Sequence, residues 1–210
     1  MLHETLKPRL SEDGSTYLFE YPLSEGAIMF IHLDDFAHYV EYLVEHRDKF
    51  AGKELKIATV HASGHDIVEA FTKVTGKPAQ FVNIPVQQWL AKTFAHETRG
   101  QHTPVGMLNL RKSMTADVER FFFPQTYGQN FTKWWNVWTH SGNNKGVLRR
   151  DYAELDSIVP YRVKTVDAWM RKVAYTPQGR EVLKQLNVKL KERTEESENS
   201  ASTKRGSAWG

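Results

Sequence analysis

The chain is predicted to be an α/β protein, and three observations predict it. Between residues 28 and 95, extended β-branched or aromatic words alternate three times with stripes of helical period. The first unit, Phe30-Ile31-His32-Leu33-Asp34-Asp35-Phe36-Ala37-His38-Tyr39-Val40, runs from a strand through an acidic pair into an amphipathic helix. Later helices are punctuated at their ends, by Ser63 with Asp66 three residues on, and by Gly76 with Pro78.

Taken in order, Leu2, Leu6 and Leu10 have the spacing of the last turns of a helix that begins upstream. Ser11-Glu12-Asp13-Gly14-Ser15 is turn chemistry, and Thr16 to Tyr21 is a strand ended by Pro22. After the turn Ser24-Glu25-Gly26 comes the strand over Met29–Leu33. The helix that follows is expected to be capped by Asp34 and to lay Phe36, Val40, Leu43 and Val44 on a sheet. Glu54 to Thr59 alternates with period two and reads as a strand. Ile67, Ala70, Phe71 and Val74 form the next helical face. Ala79 to Ile84 is a strand, and Pro85 opens a helix carrying Val86, Trp89 and Leu90. Residues 96–109 read as loop and 110–123 as a helix burying Val118, Phe121 and Phe122. A helix over 130–138 puts Phe131, Trp134, Trp135 and Trp138 on one stripe. Helices closed by Pro160, capped by Thr165 and started by Thr176-Pro177 are expected to follow. This divides the chain into an α/β part over 1–95, a mostly helical part over 96–186 and a disordered polar tail over 187–210.

The bulk numbers exclude several function classes. In 210 residues, 40% hydrophobic and 25% charged residues are globular values, and no apolar run approaches the roughly 18 residues of a spanning helix. The formal charge of +3 is spread along the chain among similar numbers of acids, which is no nucleic-acid footprint. Zero cysteines remove disulfides, thiolate metal sites and a thiol nucleophile together. A cytoplasmic or nuclear protein is expected.

The candidate chemistry is thin. Asp34 and Asp35 have two readings: an acid/base pair or cation site, and helix-start carboxylates; the second is expected on general grounds of capping. His32 leaves the strand on the side opposite Ile31 and Leu33 and is a candidate for a cleft wall. His61 and His65 are four apart across Ser63-Gly64, His38 and His46 eight apart, and no third ligand has sensible spacing, so no metal is expected. A Tyr-x-x-x-Lys pair, in which the lysine would lower the phenol pKa, is missing: four residues after Tyr39, Tyr42, Tyr127 and Tyr152 stand Leu43, His46, Phe131 and Asp156. There is no G-x-S-x-G elbow, and Gly76-Lys77 is no P-loop, since position 71 is Phe. Aromatic stripes at helical spacing are mostly core; Phe122, Trp134 and Trp135 are nonetheless the candidates, with His32, for lining a substrate pocket.

The Phe30–Ala37 word resembles the strand-to-helix signature late in extended and atypical short-chain dehydrogenase/reductases. Val74-Thr75-Gly76-Lys77-Pro78, Ile84-Pro85-Val86-Gln87-Gln88-Trp89-Leu90 and Asn130-Phe131-Thr132-Lys133-Trp134-Trp135-Asn136-Val137-Trp138 are similar to the NmrA-like family, particularly its fungal members. Ser141–Val147, Arg149-Arg150-Asp151-Tyr152 and Val163–Met170 resemble its closing helices. The resemblance implies the C-terminal part of a Rossmann-type NAD(P)-binding fold with a mostly helical substrate-side region, an oxidoreductase-type activity and NADP as cofactor. Family members open with a glycine-rich βα turn that seats the pyrophosphate. None of the 13 glycines here has that spacing, so the chain corresponds to the C-terminal half and is not expected to bind NADP alone. Its catalytic residues are unknown, and family members commonly lack the Tyr-x-x-x-Lys pair as well. The implied partner is a small-molecule substrate or a regulatory protein. The alternatives are a non-enzymatic NAD(P)-sensing module and an inactive truncated product.

Overall fold

A computed structural model describes residues 2–3, 5–94, 101–102, 125–146 and 148–179. In chain order the described elements are β1 (Arg9–Leu10), β2 (Tyr17–Tyr21), β3 (Ile28–Phe30), α1 (Leu33–Glu45), α2 (Arg47–Phe50), β4 (Val60–Ala62), α3 (Gly64–Thr75), β5 (Ala79–Asn83) and α4 (Val86–Thr93). After them come α5 (Tyr127–Thr139), a 3-10 turn (Gly142–Asn144), α6 (Tyr152–Ile158) and α7 (Val166–Lys172). The mixed α/β class is as predicted. The helix expected to start at Thr176-Pro177 is a turn over 177–178, and its remainder, the predicted helix over 110–123 with Phe122, and the tail over 187–210 lie outside the described residues.

The strands do not form one sheet. β2 is flanked by β1, antiparallel, and by β5, parallel from Tyr17↔Ala79 to Tyr21↔Asn83. β3 and β4 form a separate antiparallel pair from Ile28↔Ala62 to Phe30↔Val60. The long connection from β2 to β5 therefore carries this ribbon, α1 and α3, and α3 packs back on the parallel pair. Its helix is well specified. Ser63 and Asp66 close a capping box, Gly76 ends it at φ 68°, and Ile67, Ala70 and Phe71 face inward. Gly64 lies beneath the Phe81 ring, where a β-carbon would collide with the ring carbons.

Three expectations are corrected. Glu54–Thr59 forms no strand, because the ladder with β3 stops at Phe30: Thr59 gives its amide to the Phe30 carbonyl, and its Oγ1 takes the His32 amide at 2.7 Å. A side chain thus stands in for the next ladder bond. The described residues 2–3 and 5–10 form turns and β1 rather than helix. The phenols of Tyr175 and Tyr21 donate to the carbonyls of Leu2 and Leu6, supplying from afar the partners a helix would supply locally. Asp34 does not cap α1; His32 occupies that position without a side-chain cap bond.

One core gathers Phe19 and Tyr21 of β2, Ile28, Ile67 and Phe71, Trp89 of α4, Trp135 of α5 and Met170 of α7. α5 and α7 thus bury their apolar faces in the same core as α3 and α4. Each such side chain stabilises the fold by about 1.5–3 kcal/mol relative to exposure. A smaller cluster of Tyr39, Leu155 and Val159, with Leu55 and Ile57 against it, lies between α1 and α6.

Candidate functional site

The polar chemistry of the fold is concentrated where α1, β4 and α6 meet. β4 places His61 inward, 6% exposed, with Nδ1 2.6 Å from the Tyr152 hydroxyl and Nε2 2.8 Å from the Leu148 carbonyl. A carbonyl only accepts, so Nε2 carries the proton, and Nδ1 accepts from the Tyr152 O–H. Burial, with Arg150 adding to it and the Leu148 bond opposing, holds the His61 pKa below 6.5. Burial also raises the Tyr152 phenol above its ordinary value, against the charge of Arg162. The pair is therefore a neutral imidazole and a protonated phenol.

Arg162 lies over the Tyr152 ring at 5.2 Å and donates to Asp156 at 2.7 Å and to the Thr59 and Val163 carbonyls at 2.7 and 3.1 Å. Burial acts to raise Asp156, but Lys164, 3.1 Å away, and Arg162 outweigh it and leave its carboxyl below the usual range. Asp35, 4% exposed, accepts the Val163 amide at 2.9 Å. His32 stands beside it with Nδ1 3.4 Å from Asp35 Oδ2 and Nε2 3.5 Å from Asp34 Oδ2. The first contact lies within charge-pairing range without hydrogen-bond geometry. Of the acidic pair, then, Asp35 is an internal tether and Asp34 points to solvent.

Next to this cluster a surface cleft of about 300 Å³ opens between β4, α3 and α7. His61 forms part of its wall, and Asp66, Glu69, Lys73 and Asp167 border it. Lys73 pairs with Asp167 at 3.0 Å, and Arg171 with the same carboxylate at 2.7 Å. Hydrogen bonds from Thr165, Lys73 and Arg171 hold that carboxyl far below its ordinary range. Both His61 nitrogens are engaged, so the imidazole is not a free base at the cleft wall.

Of the predicted site residues, Trp134 and Trp135 are brought together and His32 is placed elsewhere. His32 belongs to the α1–α6 junction. Trp135, 1% exposed, stacks on Tyr21 at 5.8 Å and meets Trp89 and Trp134 edge-on at 5.1 and 4.7 Å. Trp134 is partly buried on the rim of the same core. Phe122 lies outside the described residues. His61 and His65 diverge, the first toward Tyr152 and the second edge-on to Phe81 at 5.3 Å. Among the described residues no three His, Asp or Glu side chains gather as a metal would need. Sequence reading missed the contact of His61 with Tyr152 and the Arg162 that covers the Tyr152 ring; 91 positions separate His61 from Tyr152, and no local signal joins them.

A dinucleotide pyrophosphate needs free amides at a helix start reached through small residues. None of the three strand-to-helix junctions fits. α1 opens with Asp34 and Asp35 in its first turn, charges that repel phosphate. At α3 the Asp66 carboxylate already takes the Ser63 amide, and Gly64 is covered by Phe81. α4 has Pro85 as its N-cap, which supplies no amide proton, and its first turn, Val86-Gln87-Gln88, holds no small residue through which a pyrophosphate could approach.

No curated protein matches the chain. The model of the NmrA-like family matches residues 2–121, more than half of the 210. Together with the α/β architecture, that match places the chain in the NmrA-like family.

Proposed function

We propose that the chain provides the substrate side of an NAD(P)-dependent oxidoreductase-type protein, as the C-terminal half of a fungal-type NmrA-like member. The observation that carries this reading is the lack of a pyrophosphate seat at all three strand-to-helix junctions, within a chain that matches an NAD(P)-binding family. In it, residues 1–95 are the late α/β part of the Rossmann-type domain, 96–186 the substrate-side helices and 187–210 a polar tail. NADP is the cofactor of the whole assembly, seated by a glycine-rich turn outside these 210 residues, and the setting is cytoplasmic or nuclear. His32, Phe122, Trp134 and Trp135 remain the substrate-pocket residues of this reading. Among the described residues no helix is long and apolar enough to cross a membrane. Isothermal calorimetry of the 210-residue chain with NADPH tests it: no heat of binding at micromolar concentration is expected, and micromolar binding overturns it.

A second reading is a non-enzymatic regulatory module that binds a protein partner. It is favoured by the row of apolar side chains that α1 turns to solvent. An assay of NADPH oxidation against aldehydes, ketones and quinones, run with the chain joined to the glycine-rich N-terminal half that the first reading requires, separates the two readings: turnover above the protein-free control rejects the regulatory one.

A further inference from the structure

Helix α1 is inverted. Its inward face carries Asp35, bonded to the Val163 amide, and Tyr39, whose hydroxyl donates to the Leu155 carbonyl at 3.2 Å. Its outward face carries Leu33, Phe36, Val40 and Val44, exposed by 70, 46, 43 and 67%. At about 100° per residue these four fall on one stripe, roughly a third of a turn from the buried face. They are half of the eight large exposed hydrophobics among the described residues. Because two buried polar bonds lock the helix, it cannot roll to hide the stripe. A contiguous apolar row of this kind on a fixed helix is the signature of a binding face.

The border of the stripe says what fits it. Asp34, Glu41 and Glu45 line one side of it, and all three are exposed. A second copy is a poor occupant. A two-fold axis that pairs α1 with itself antiparallel keeps each border on its own side and sets the acidic row against itself. Parallel self-pairing sets that row against the Leu43 edge, with no counter-charge. We propose that this face of α1 docks an amphipathic helix of a partner protein whose apolar row is bordered by Lys or Arg. Apolar anchors would supply affinity, and the charged border register and partner choice. The proposal deepens the regulatory reading and rests on it for its biological use; the experiment below tests the surface, whereas the turnover assay tests the reading.

The full chain is titrated calorimetrically with a Leu/Lys peptide of about 14 residues, long enough to fold as a helix on contact, and with a twin in which Glu replaces Lys. The Lys peptide is expected to bind at least tenfold more tightly than the twin, a difference of about 1.4 kcal/mol. Val40→Asp is expected to weaken it at least tenfold, and the pair Glu41→Lys with Glu45→Lys to reverse the preference. Val40 is solvent-facing, so unchanged thermal melting is expected; if that variant fails to fold, Leu33→Lys replaces it. Equal binding of both peptides, binding of neither, or binding indifferent to these substitutions overturns the proposal. So does a dimer in light scattering that Val40→Asp dissociates, which would make a second copy the occupant.

Discussion

The Asp35 carboxylate accepts the backbone N–H of Val163, 128 positions later, across 2.9 Å of buried structure. This bond ties the start of α1 to the segment between α6 and α7 and turns the helix so that its acid faces in. Asp35→Ala leaves the Val163 amide unpaired and is expected to cost about 1–3 kcal/mol in urea unfolding. Asp34→Ala, at an exposed position, should stay within about 0.5 kcal/mol. Equal effects of the two substitutions would refute the tether.

The contrast between those neighbours marks how far the sequence could be read. The α3 unit was legible because its signals are local: Ser63, Asp66, Gly76 and a stripe of period 3.6. The strands Tyr17–Tyr21 and Ala79–Asn83 were legible for the same reason, but their mutual pairing was not. The α1 stripe was also visible, and was assigned to a sheet because apolar faces are usually buried; the structure leaves it in water. What reversed it are bonds to Val163 and Leu155, over separations that no periodicity encodes. The capping box of Thr126 with Gln129 shows the opposite failure: both bonds are local, at 3.2 and 3.0 Å, and start α5 earlier than its aromatic stripe suggests. Among the site residues, Trp134 and Trp135 stood out as aromatic, which is a signal for core as much as for a pocket.

Arg162 is expected to be the least replaceable charge in the cluster. Its side chain is 3% exposed and satisfies Asp156 and two carbonyls from one planar fork. Arg162→Ala takes this donor from the Thr59 and Val163 carbonyls, while Asp156 keeps Lys164, and is expected to cost about 1–3 kcal/mol. Arg162→Lys recovers only part of that, since an ammonium cannot reproduce the fork. Denaturant midpoints of the two variants check this; a lysine variant as stable as the parent rejects it.

His61 gives the fold an acid sensitivity. Its pKa is 6.5 unfolded and lower in the fold. Below pH 6.5 the unfolded chain takes up the proton first, so this contribution to stability is present above 6.5 and is lost as pH falls toward the folded pKa. In His61→Gln this part of the slope should vanish. Urea unfolding of both proteins between about pH 5 and 8 provides the measurement; parallel stability curves would mean that His61 is not the group.

Ser141 joins α5 to the start of β3. Fully buried, its hydroxyl oxygen accepts the Ala27 amide at 2.9 Å and lies within donating distance of the Ala27 and Trp138 carbonyls. Gly26 lets the chain pass so close that a β-carbon there would strike the backbone of Trp138 and Thr139. Ser141→Ala keeps the volume nearly unchanged but removes the shared hydroxyl, and a loss of about 1–3 kcal/mol is expected. Gly26→Ala should cost at least as much by a different route, pushing two backbones apart. The two routes separate in a double-mutant cycle. Once Gly26→Ala has pushed the end of α5 away from the segment before β3, Ser141 has nothing left to bridge, so the double variant should be less destabilised than the sum of the singles. Simple additivity would show that the hydroxyl and the close approach act independently.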